Sequence, residues 1–166
     1  MTQLFRRTLN AFIATAVACL LLSPVAFSKP DRQVPEGVSE LSFKKDVLML
    51  TTGLGEFPIS IELAQYPDQH QRGLMYVQSM DQDEGMLFVF NREEPRSFWM
   101  RNTPLPLDIL YIDSDGFIVS WAANTTPFSL QALPSNAPAQ FVLELNAGSI
   151  DHFGIEVGDQ ISHPGN

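Results

Sequence analysis

From Val47 onward the chain is a succession of short apolar runs, each closed by a turn signal. Runs of that length and spacing bury themselves as strands rather than as helices. The clearest is Phe57, Ile59, Ile61 and Leu63, alternating with Pro58, Ser60, Glu62 and Ala64. Period two gives a strand with one buried face, and Pro58 confines it to an edge or to the strand's first residues. Val47 to Thr52 precedes it across a Gly53-Leu54-Gly55 turn. Met86 to Phe90 is apolar on both faces, which predicts a central strand. Ser97 to Arg101 reads as a separate strand after Asn91 to Pro95, and Leu107 to Ile112 as another. Asp113-Ser114-Asp115-Gly116 then predicts a hairpin into Phe117 to Trp121. Gln140 to Leu145 is a further strand, and Gly158-Asp159 turns into a last one at Gln160 to Ser162. Two short helices interrupt the pattern. One opens at Tyr66-Pro67-Asp68 and stops at Gly73; the other lies within Asn146 to Phe153 and stops at Gly154. The sum is a β-rich α+β domain, barrel-like or a coiled two-layer sheet, with two short helices. Ala122 to Ala139, with Pro127, Pro134 and Pro138, reads as a long loop of the kind that covers sites.

The first 28 residues carry Arg6 and Arg7, a nearly unbroken apolar run from Leu9 to Leu22, and small residues at Ala26 and Ser28. That is the pattern of a secretory signal peptide. It is favoured over a retained anchor, because the run is short of the ~20 residues that span a bilayer. Lipidation at Cys19 would leave a wasted apolar tail. The expected organisation is signal peptide 1–28, flexible leader 29–42 and one domain over 43–166. The expected location is periplasmic or secreted, with membrane contact only during export. Cys19 is the chain's one cysteine. A mature domain without it is disulfide-free, and thiol nucleophiles and thiolate metal sites drop out. Loss of the signal also removes two of ten basic residues and none of the nineteen acidic ones, which leaves a formal charge of −11. Such a chain is repelled by phosphate backbones, so nucleic acid is not expected as a partner.

The densest information lies from Arg72 to Asp113, where a few polar side chains sit within aromatic and Met-rich sequence. Buried polar groups must be satisfied or useful. Arg72, at the end of the first helix, either complements the helix C-terminus or forks onto a ligand. Trp99 shares its pleat face with Ser97 and Arg101, while Phe98 and Met100 can supply the core from the other face, so Trp99 is either a core aromatic or an exposed one that can stack a ligand. Asn102 suits the turn before Pro104. Asp108 opens an apolar strand, where it either fixes the preceding turn or faces a ligand. Glu144, in FVLEL, lies on a wet face or pairs inside with Arg72 or Arg96, and shares its face with Asn146. Asp113 and Asp115 lack the later acid of a calcium loop. His70, His152 and His163 lack paired metal spacing, so no metal and no cofactor is expected.

These residues resemble an uncharacterised family, domain of unknown function one-nine-two. The likeness runs through RGLM (72–75), EGMLFVF (84–90), SFWMRNTPLPLDILYID (97–113), VLELNAG (142–148) and GIEVGD (154–159). It implies a compact α+β fold and a polar groove near the shared motifs, in proteins that are often exported and stand alone. It implies no activity. The favoured expectation is a binding or accessory module whose groove, for a small molecule, glycan or peptide, is lined by Arg72, Trp99, Asn102, Asp108, Glu144 and Asn146 under the 122–139 loop. The alternatives are a glycan-active enzyme using Asp108 and Glu144 as its carboxylate pair, and a purely structural partner protein.

Overall fold

The structure is a computed structural model that describes residues 30–162. The signal-peptide, Cys19 and His163 readings lie outside the described residues. In chain order the elements are β1 (Asp31–Arg32), β2 (Lys44–Thr52), β3 (Gly55–Ala64), α1 (Pro67–Arg72), β4 (Val77–Ser79), β5 (Glu84–Phe98), β6 (Leu107–Ile112), β7 (Ile118–Ala122), β8 (Leu133–Asn146), α2 (Ser149–Phe153) and β9 (Gln160–Ser162). Seven strands form one curled sheet in the order β7-β6-β8-β5-β3-β2-β9, and β1 pairs with β4 in a second, small sheet. Only β3 and β5 run parallel within the large sheet. Their crossover carries α1 and β4 over the outer face, as parallel neighbours require.

The sheet curls far enough for its two end strands to touch. Phe117 bridges Gln160. Beside that bridge Ile118 donates its N–H to the Asp159 carbonyl at 2.8 Å, and Ile161 donates to the Gly116 carbonyl at 2.8 Å. Leu48, Ile59, Leu87, Leu110, Leu143 and Ile161 belong to the core inside the curl. Met86, Phe88, Ile109, Tyr111 and Val142 form a second core on the outer face with Leu74 and Val77. The central strands β5, β6 and β8 thus bury both faces, which is why Met86 to Phe90 is continuously apolar. Pro58 fits because β5 pairs only with Ser60 to Ala64, leaving the earlier part of β3 with β2 as its one neighbour.

Three boundaries differ from those expected. Ser97 to Arg101 is not a separate strand. β5 runs unbroken from Glu84 to Phe98, absorbing Asn91 to Pro95 through register shifts against β8. Polar, turn-prone residues tolerate a strand here because most of this stretch is exposed on a projecting arm. The 122–139 loop is shorter than expected, since β8 begins at Leu133 and carries Pro134 and Pro138 opposite Ser97 and Pro95. Within the segment 29–42, expected as a flexible leader, the described residues are tied to the domain: β1 pairs with β4, and Arg32 is buried against Glu62.

Candidate functional site

Strand register sets Glu62, Met86, Glu144 and Ile109 in one row across β3, β5, β8 and β6. That row faces outward, toward α1. Glu144 is 4% exposed. α1 lies above it, and its exit is shaped by Gly73, whose N–H caps the helix on the Gln69 carbonyl. Gly73 has φ +47°, and a Cβ there would approach the Phe88 ring to 3.1 Å and Glu144 Oε2 to 3.9 Å. The missing side chain keeps open the space over the carboxyl.

A cavity of about 270 Å³ occupies that space. Arg72, Gly73, Leu74 and Met75 line it from the end of α1, and Phe88, Phe90, Phe98 and Trp99 from β5 and its exit. His70, Gln71, Ser97, Arg101, Thr103 and Glu144 complete the wall. Nη1 of Arg72 and Oε2 of Glu144 are buried with no hydrogen-bond partner among the described residues. Leaving such groups unpaired costs about 1–3 kcal/mol each, more when charged. Burial pushes the Glu144 carboxyl up to about 8, against the opposing pull of Arg32. At neutral pH it is therefore mostly protonated, and it can donate as well as accept. Burial, followed by the nearby Glu144 charge, also raises the Tyr111 phenol.

Other polar groups around the cavity are already engaged. Arg72 Nη2 donates to the Ser39 carbonyl at 2.8 Å. His70 Nε2 lies 3.0 Å from the Ala64 carbonyl and 3.1 Å from that of Val89, so this nitrogen carries the proton. Its ring stacks at 4.4 Å on Phe90. Arg32 donates to Glu62 at 2.8 Å and to the Gly73 carbonyl at 2.8 Å, which fixes the helix exit from beneath.

The cavity brings together three of the six expected residues: Arg72, Trp99 and Glu144. Trp99 is 44% exposed at the rim, with Arg101 5.5 Å over its ring, and Met100 turns inward. Asn102 lies in an adjoining depression that also contains Arg72, Trp99 and Ser39. Its Nδ2 donates to the Tyr76 hydroxyl at 3.0 Å, and its carbonyl accepts from Tyr76 N at 2.8 Å. Both residues have positive φ, 53° and 67°, so each braces the other in a strained backbone.

Asp108 and Asn146 are elsewhere. Asp108 pairs with Leu145, and its side chain therefore lies on the sheet face opposite Glu144. It is fully buried, accepting from Asn124 N at 2.8 Å and from Ile150 N at 2.9 Å. It pins the loop after β7 and the first turn of α2, not the Asn102 to Pro106 turn. Asn146 donates to the Met80 and Asp81 carbonyls at 2.8 and 3.1 Å. The Asp108–Glu144 carboxylate pair is thus corrected: two carboxyls on opposite faces cannot flank one bond. Pairing of Glu144 with Arg72 or Arg96 is corrected too. Arg96 is held by Glu94 at 2.7 Å and stacks 3.9 Å over Phe90, and neither arginine bonds Glu144. The 122–139 segment contributes no lining residue, so it is not the cover of this cavity. Arg32, His70 and Gly73 were missed as site residues. Gly73 signalled only a helix stop, and a lone Arg32 in a polar leader carried no signal.

Among the described residues no group of three or more His, Cys, Asp or Glu could hold a metal ion. Asp113 accepts from Asp115 N and Phe117 N within its hairpin, as a turn residue does. No helix among the described residues is long and apolar enough to cross a membrane.

The sequence profile of the family DUF192, described as Uncharacterized ACR, matches residues 49–163. The fold is similar to that of a Sinorhizobium meliloti 1021 protein provisionally described as a transcription regulator, with 41% identity and a TM-score of 0.74 over 77% of this chain and 100% of that one. It is also similar to a protein of unknown function from Novosphingobium aromaticivorans DSM 12444, with 31% identity and a TM-score of 0.70 over 81% of this chain and 93% of that one. None of the curated proteins matches the chain.

Proposed function

This chain belongs to the uncharacterised family DUF192, and we propose that it is a binding module for a small ligand seated over Glu144. One observation carries the reading. Arg72 and Glu144, both lining one cavity, each leave a buried polar atom without a partner. A polar ligand supplies what those atoms lack, while Phe88, Phe90 and Phe98 shed water around its body. Trp99, at the rim, offers a stacking face. The working location is the periplasm or the exterior, on the strength of Arg6-Arg7, the apolar run and Ala26 to Ser28. The glycan-active enzyme loses its support with the carboxylate pair. A role as a transcription regulator, the provisional description of the Sinorhizobium relative, is disfavoured here, in so far as it needs contact with nucleic acid, by a net charge of −9.

The test is a thermal-shift titration of the purified protein against small sugars, amino acids, short peptides and organic acids. At least one class should raise Tm in a concentration-dependent way, as a ligand that binds only the folded state must. The Arg72→Gln variant should lose that response. No response across the whole panel, with no small molecule retained in native mass spectrometry, rejects the reading.

A further inference from the structure

We infer that the ligand of this cavity is a small monocarboxylate with a compact apolar body, its head seated between Arg72 Nη1 and the Glu144 carboxyl. The inference rests on the binding reading above and narrows it to a chemical class.

The free groups determine the class. A guanidinium has donors and no acceptor, and Nη2 of Arg72 is already spent on Ser39. What remains is the buried Nη1, a positively charged donor that calls for an anionic acceptor. The second free group is Glu144 Oε2. Burial holds this carboxyl in its neutral form around pH 7, where it adds an O–H donor. The two oxygens of one carboxylate can take one bond from each group, and O–H···O⁻ and N⁺–H···O⁻ are both of the strong, charge-assisted kind. An alcohol or amide would leave the arginine charge uncompensated.

The apolar side of the cavity disfavours the other common anions. Phe88, Phe90, Phe98 and Leu74 form one apolar side of the wall, where a ligand's body would pack. A phosphate or sulfate would press its further oxygens against these rings, at the cost of burying polar atoms unpaired. A free sugar would need many more partners, and His70 Nε2 and Thr103 Oγ1 are already engaged with backbone carbonyls. Arg101 adds a second positive charge at the rim, stacked over Trp99. In a chain of net charge −9 this is a local reversal of sign, and it favours entry of an anion. The volume of about 270 Å³ limits the body to a compact one.

Calorimetric titration with benzoate, benzamide, phenyl phosphate and methyl glucopyranoside distinguishes the classes. Benzoate should bind to the wild type at pH 6.5 more tightly than the other three. Its affinity should fall about tenfold by pH 9, as Glu144 ionises and repels it. Glu144→Gln keeps a donor and cannot ionise, so its benzoate affinity should stay flat over the same range. Arg72→Gln should weaken benzoate at least tenfold. Tighter binding of phenyl phosphate, or a benzoate affinity with the same pH profile in wild type and Glu144→Gln, overturns the inference. Binding of benzamide or the glycoside alone overturns the carboxylate class and leaves the binding reading standing. No binding of any probe overturns the inference, and the broader panel above then decides the binding reading by itself.

Discussion

Glu144 is the residue whose chemistry the fold changes most, and its pH dependence follows from burial. Its carboxyl is raised to about 8 in the folded state, against about 4.3 in an unfolded chain. Between those values the folded protein holds a proton that the unfolded chain has lost, so stability falls as pH rises, and the loss is complete above the folded value. Urea unfolding of the wild type from pH 5 to 8.5 should show this decline, of order a few kcal/mol. Glu144→Gln should remove most of the slope. Equal slopes in the two proteins would mean the carboxyl is not held neutral. Asp108 is the contrasting case. Both of its oxygens accept backbone N–H groups, from Asn124 and Ile150. Asp108→Asn must turn an amide N–H₂ toward one of those donors, at a cost of about 1–3 kcal/mol. Denaturant unfolding should register that loss, and ligand affinity of the folded fraction should not change. An unchanged stability would reopen a ligand role for Asp108. The sequence marked both acids as unusual because both stand in apolar strands. It did not tell their roles apart, because that depends on which pleat face each takes, and the face is set by the β6–β8 register.

At the scale of elements, strand identity was legible wherever packing enforces a pattern, as in β3, β6 and the first half of β5. Boundaries were not, where pairing overrides local preference: Asn91 to Pro95 and Pro134 to Pro138 look like turns but lie within β5 and β8, where Pro95 faces Pro138 and Pro134 faces Ser97. The small β1–β4 sheet was invisible because two residues carry no periodicity. Its importance lies in Arg32, whose Nη1 donates to the Gly73 and Met75 carbonyls at 2.8 and 3.3 Å and whose Nη2 pairs with Glu62. Both partners of that pair are nearly buried. Arg32→Ala should therefore remove the hydrogen-bonded partner of a nearly buried Glu62, costing about 1–3 kcal/mol. It should also loosen the α1 exit, where Gly73 borders the cavity. Chemical denaturation measures the first effect, and faster amide exchange at Met75 and Tyr76 the second. A loss below about 1 kcal/mol would show that β1 is an ornament on the domain rather than a strap across it.

The whole molecule explains why the cavity lies outside the curl. The interior is filled by Leu and Ile from all seven strands of the large sheet, leaving the space under α1 as the place where polar groups gather. That filling requires the sheet to close on itself, since open β7 and β9 edges would expose unpaired backbone. Closure depends on one narrow seam. Ile161 N donates to the Gly116 carbonyl and Ile118 N to the Asp159 carbonyl, both at 2.8 Å. Gly116 has φ +88°, and a Cβ there would stand 2.5 Å from the Ile161 carbonyl oxygen. A methyl group therefore meets both an unfavourable backbone region and fixed backbone across the seam. Gly116→Ala should cost at least about 2 kcal/mol. Hydrogen exchange gives the sharper readout, because opening should be local. Amides of Ile118 and Ile161 should lose protection, while those of Leu87 and Leu143 in the central strands keep theirs relative to the new global stability. Ligand response at the cavity should survive in the folded fraction, since no lining residue belongs to the seam. Uniform loss of protection across all strands would mean that the sheet closes and opens as one cooperative unit.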